Sequence, residues 1–134
     1  MTATFKITQG DCLSIMRSMP SASVDAVITD PPYCSGGASS ASRMLDPGKK
    51  YVTKGQTRVW PEFGGDNKDQ RGYFAWCNLW MSECRRILKP NGYFLTFTDW
   101  RQLPVTTDAV QSADIVCRGL IAWNKGLGAR APHK

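Results

Sequence analysis

Four consecutive residues, Asp30-Pro31-Pro32-Tyr33, bring together groups suited to one kind of chemistry. A carboxylate and a backbone carbonyl both accept hydrogen bonds from an exocyclic NH2 group. A tyrosine ring offers a face on which a nucleobase can stack. The preceding run, Val24-Asp25-Ala26-Val27-Ile28-Thr29, is short, mostly apolar and β-branched, as a buried parallel strand is. Two prolines then prevent the chain from continuing as a ladder strand or as a helix. The turn must leave the sheet at the carboxyl end of the strand, where ligands bind in open α/β folds. The plainer alternative is a Pro-Pro turn after a core strand, with Asp30 as its cap.

The elements around the motif follow from periodicity and punctuation. Residues 4–8 alternate polar and apolar, which predicts a first strand. Asp11 is placed to cap a helix over Cys12–Met19, which Pro20 and Ser21 stop. A second helix is predicted over Tyr73–Leu88, where Phe74, Cys77, Trp80, Met81, Cys84 and Ile87 recur at spacings of three and four. Trp76 and Trp80 are expected in the core. Lys89-Pro90-Asn91-Gly92 reads as a turn, and residues 93–98 as a second buried strand ending in Asp99-Trp100-Arg101. A third helix over Leu103–Ala113 and a third core strand over 115–123 complete the pattern. Alternating strands and helices call for an α/β fold, a mostly parallel sheet flanked by helices.

Residues 34–72 make one long connection rich in Gly, Ser, Lys and Asp, with Cys34 to Ser42 small and flexible. Between residues 43 and 60, Arg43, Lys49, Lys50, Lys54 and Arg58 place five positive charges against one acid, Asp46, with Tyr51 and Trp60 interleaved. Cations among aromatics suit a nucleic-acid backbone and unstacked bases, while a solvated basic loop is the alternative.

The 134 residues fit one domain with a real core. The net charge of +6 favours a polyanionic partner, and it is uneven: residues 1–33 carry −1, residues 34–71 carry +3 and residues 72–134 carry +4. Five cysteines without a C-x-x-C pair, and a single histidine at position 133, argue against zinc and for reduced thiols in the cytoplasm. No apolar run approaches a membrane span, and no signal peptide or internal repeat is visible.

Asp-Pro-Pro-Tyr after an apolar strand resembles the catalytic motif of the amino-methyltransferases that modify N6 of adenine or N4 of cytosine in DNA, enzymes of restriction–modification systems and phage. Gly10-Asp11-Cys12-Leu13, the run from Glu83 through Leu88-Lys89-Pro90-Asn91-Gly92, and Trp123-Asn124-Lys125-Gly126 are similar to the same family, so the likeness spans nearly the whole chain. It implies a partial Rossmann-like fold in permuted order, with the catalytic half first. It also implies S-adenosylmethionine as cofactor, near Asp30 and Asp11, and double-stranded DNA with a flipped base as substrate. Asp11 thus has two compatible readings, helix cap and cofactor contact. Asp30 and the Pro31 carbonyl would hold the amino group, Pro32 would stiffen the turn, and Tyr33 would stack on the base. An acid in the first position fits adenine by family habit, with N4 of cytosine as the alternative. An Asn there would point to protein or RNA.

The family's glycine-rich cofactor loop has no counterpart here, since Gly36-Gly37, Gly64-Gly65 and Gly126-Leu127-Gly128 follow no suitable strand or precede no helix. The expectation is therefore the N-terminal part of a methyltransferase domain, completed by a C-terminal half or a partner subunit. The competing reading is a non-catalytic remnant that binds DNA or a partner. The resemblance further predicts one sheet from residues 24–29, 93–98 and 115–123, with Val24–Thr29 at or near an open edge and the first strand detached or paired non-natively.

Overall fold

The computed structural model describes residues 4–34 and 68–124. Five elements follow in order: α1 (Cys12–Arg17), β1 (Val24–Thr29), α2 (Gln70–Ile87), β2 (Leu88–Thr96) and α3 (Leu103–Ser112). The helices pack on one side of a parallel two-stranded sheet, a partial Rossmann-like α/β arrangement.

α1 and α2 each begin at an acid. Asp11 Oδ1 accepts from the Ser14 amide at 2.9 Å, and Asp69 Oδ1 accepts from the Gly72 amide at 2.7 Å. These bonds satisfy amides that the first turn leaves unpaired. Asp99 Oδ1 takes the Arg101 and Gln102 amides at 3.0 and 2.9 Å just before α3, whose first turn holds Pro104. The Asp69 cap explains why α2 starts three residues before the apolar stripe alone predicts.

α2 is the centre of the core. Tyr73, Cys77, Trp80, Met81, Cys84 and Ile87 are buried along one face, against Ala109, Val110 and Ala113 from the α3 segment and Val27 and Phe94 from the sheet. Trp80 is buried as expected, whereas Trp76 is half-buried with the Lys68 ammonium 5.0 Å from its ring. Arg86, in the last turn of α2, donates to the Met16 and Met19 carbonyls at 2.7 and 2.9 Å. It thereby terminates α1 and holds that helix against the core, with Glu83 paired to its guanidinium at 2.8 Å. α1 stops at Arg17, two residues short of the expected end.

α2 runs directly into β2. Val24 pairs with Leu88 and Ala26 with Tyr93, so Lys89–Gly92 bulges out between two in-register rungs. The expected turn at these residues is thus a bulge inside a longer strand. Asn91 takes φ +64°, and a Cβ on Gly92 would lie 2.9 Å from Leu88 Cδ2 and 3.0 Å from the Asp25 carbonyl. Beyond the bulge, Val27, Ile28 and Thr29 face Phe94, Leu95 and Thr96.

Two expected strands are absent. Residues 4–9 adopt no regular structure, in keeping with the expected detachment of the first strand. Residues 115–123 do not join the sheet. The Ile115 amide bonds back to the Val110 carbonyl at 3.1 Å, and Val116, Leu120, Ile121 and Trp123 are exposed. Strand formation needs a pairing edge, and an apolar β-branched run specifies no edge by itself. On the other sheet face Ile28 is 71% and Tyr93 73% exposed, while Phe97 meets the Trp123 ring edge-on at 5.8 Å.

Candidate active site

β1 and β2 are parallel, so both end at the same sheet edge. The ladder's last bond runs from the Phe97 amide to the Thr29 carbonyl at 2.9 Å. Asp30 begins immediately beyond it, and the Asp99–Gln102 loop leaves β2 beside it. This is the carboxyl edge at which the prolines are expected to release the chain.

Asp30 is exposed, while Pro31, Pro32 and Tyr33 are half-buried. The Tyr33 hydroxyl donates to Asp30 Oδ1. This bond ties the hydroxyl edge of the Tyr33 ring to the Asp30 carboxylate. The next residue, Cys34, is only 2% exposed and belongs to the core with Tyr73 and Cys77. It takes φ +57°, a left-handed conformation uncommon outside glycine. Cys34 thus pins the end of the motif to α2. This corrects the expectation that the small flexible stretch starts at Cys34; no periodicity spans the break between β1 and α2 to reveal the anchor.

A chain of hydroxyls lies behind the motif. The Tyr73 hydroxyl is 3.4 Å from Thr106 Oγ1, which is 2.9 Å from Thr98 Oγ1. Burial raises the Tyr73 phenol well above its ordinary pKa, so it stays a neutral donor. Gln102, one turn before Thr106 on the same face, is buried with its Oε1 unpartnered. Residues that far apart in sequence carry no local signal of this contact.

Asp11 is the α1 cap. Its Oδ1 accepts from both the amide and the hydroxyl of Ser14 at 2.9 Å, and these bonds hold its carboxyl below the ordinary carboxylate pKa. Among the described residues no bond joins it to Asp30. Arg43, Lys49, Lys50, Lys54 and Arg58 lie outside the described residues. Among the described residues, no group of three or more His, Cys, Asp or Glu is placed to hold a metal ion, and no helix is long and apolar enough to cross a membrane.

The sheet edge thus carries the acid, two prolines and tyrosine on which the resemblance to the amino-methyltransferases rests. A family model described as DNA methylase, of the N6/N4 type, matches residues 24–133, from the start of β1 past the end of α3. The chain belongs to this N6/N4 DNA methylase family. It is 30% identical over 125 residues to the type II methyltransferase M.HinfI of Haemophilus influenzae, covering 89% of this chain and 31% of that protein. It is 33% identical over 87 residues to the type II methyltransferase M.BamHI of Bacillus amyloliquefaciens, covering 65% of this chain and 16% of that protein. The chain spans about a third or less of the length of these relatives.

Proposed function

We propose that this chain carries the catalytic motif of a DNA amino-methyltransferase, which transfers a methyl group from S-adenosylmethionine to N6 of an adenine turned out of the duplex. The observation that carries this reading is the Tyr33 hydroxyl on the Asp30 carboxylate at the carboxyl end of β1. An amino group that donates to Asp30 and to the Pro31 carbonyl has its remaining lone pair turned away from both. The Tyr33 ring fixes the plane of the base. Pro31 and Pro32 hold the carbonyl at a set angle, so catalysis comes from positioning and from a negative charge beside the nitrogen as it becomes positive. Asp30 would also accept the proton the nitrogen sheds.

S-adenosylmethionine supplies an electrophilic methyl group when bound. The donor set suits it: Asp30 and Asp11 are exposed carboxylates, and Asp11 is held ionised by Ser14. Asp30 would face the cationic end, and Asp11 would lie near the cofactor adenine. Arg43, Lys49, Lys50, Lys54 and Arg58 would meet DNA phosphates. Removing Lys49, Lys50 and Lys54 together should weaken binding to all duplexes alike and lower the salt slope by about 2.7. An unchanged slope would remove this segment from the DNA contact.

Calorimetric titration of S-adenosylmethionine into the 134-residue chain tests the reading. The expected result is a dissociation constant below about 1 mM. DNA binding without cofactor binding would instead favour a non-catalytic DNA-binding role.

A further inference from the structure

The loop after β2 displays an aromatic side chain that the fold does not use. Trp100 is 76% exposed, although an indole this large is normally mostly buried. The Arg101 guanidinium lies 4.8 Å from its ring centroid, within cation–π range. Asp99 is 3.8 Å from Arg101 Nη1, a distance at which an exposed ion pair is weak, so the cation stays available. The same acid takes the Arg101 and Gln102 amides and thereby fixes the turn. The indole is thus presented on a held backbone. The turn leaves β2 three residues after Phe97, whose amide bonds to Thr29, the residue before Asp30.

We infer that Trp100 and Arg101 form a stacking contact for a second, unstacked nucleobase of the bound DNA, with Arg101 beside the adjoining phosphate. This rests on the DNA reading above. Turning one base out of a duplex deprives its neighbours and its pairing partner of a stacking face. An exposed indole at the same sheet edge replaces that face, and any base can use it because every base has a π surface. The cation on the plate and the net charge of +6 select a polyanion over an apolar peptide as the occupant.

Fluorescence anisotropy on the full chain tests this, with a fluorescein-labelled mixed-sequence single strand and a fully abasic strand of equal length. Trp100→Ala should weaken binding to the base-bearing strand about tenfold and to the abasic strand less than about twofold. Trp100→Phe should restore most of the difference, and thermal melts of both variants should match the unaltered chain. Arg101→Ala should lower the salt slope on either strand by about 0.7. Equal binding of the base-bearing strand by Trp100→Ala and the unaltered chain would overturn this inference alone. So would an equal loss on both strands. Failure of the unaltered chain to bind either strand would overturn it together with the DNA reading.

Discussion

The Phe97 amide donates to the Thr29 carbonyl at 2.9 Å, and this bond fixes where the motif starts. It ties the exit of β1 to the exit of β2, so Asp30 and the Asp99–Gln102 loop emerge from one edge. The bulged and paired strands before it, six residues of β1 and nine of β2, set the register that allows it. The acid therefore sits on a backbone that its own side chain does not hold up.

The Tyr33 ring and its hydroxyl have separable roles. Tyr33→Phe keeps the stacking face and loses only the bond to Asp30. Methyl transfer should fall less than about fivefold, because a single exposed hydrogen bond is worth roughly 1 kcal/mol. Tyr33→Ala loses the face and should fall about 10- to 100-fold. Equal rates for the two variants, measured in single-turnover assays, would remove the ring from the site.

Burial pushes the Cys77 thiol from 9.0 up to about 11 and the Cys84 thiol up to about 12. Their folded values lie above their unfolded ones, so the folded state holds protons that the unfolded state has already lost. The stability they confer is complete below pH 9 and declines as pH rises through 9 to 12. Thermal midpoints should be flat up to pH 9 and drop beyond it. At neutral pH a thiol reagent should modify exposed Cys12 and Cys117 at once, and Cys34, Cys77 and Cys84 only after denaturant is added. Fast modification of all five in the native chain would contradict the packing described.

Among the described residues Ile28, Tyr93 and Leu95 are exposed on one sheet face, and an apolar surface of this kind drives association. Sedimentation and thermal melting should depend on protein concentration, and Ile28→Lys with Leu95→Lys should suppress that dependence. A monomer of unaltered sequence with a concentration-independent melt would show that the face is covered.

Much of this was legible because it is local. The two prolines, the β-branched run before them and the stripe from Tyr73 to Ile87 each declare their element within a few residues. The bulge at Lys89–Gly92 was readable only as a turn, since its accommodation inside β2 depends on Val24 and Ala26 on another strand. Residues 115–123 show the limit most clearly. Their composition is that of a strand, yet pairing is a property of two segments, and this one has no partner among the described residues. The burial of Cys34 and the Tyr73–Thr106–Thr98 hydroxyls were likewise invisible, because they join residues brought together only by packing.

Single-turnover transfer of a labelled methyl group from S-adenosylmethionine to DNA by a catalytically complete version, the chain joined to its C-terminal half or partner subunit, compared with the same version carrying Asp30→Ala, tests the central claim most directly. Asp30 is exposed and carries no core packing, so the variant should melt at the temperature of the unaltered chain. The account predicts N6-methyladenine as the product and a loss of at least about 100-fold in the variant. Transfer by the Asp30→Ala version at a rate near that of the complete unaltered version would contradict it, as would the absence of any methylated nucleoside from that complete version.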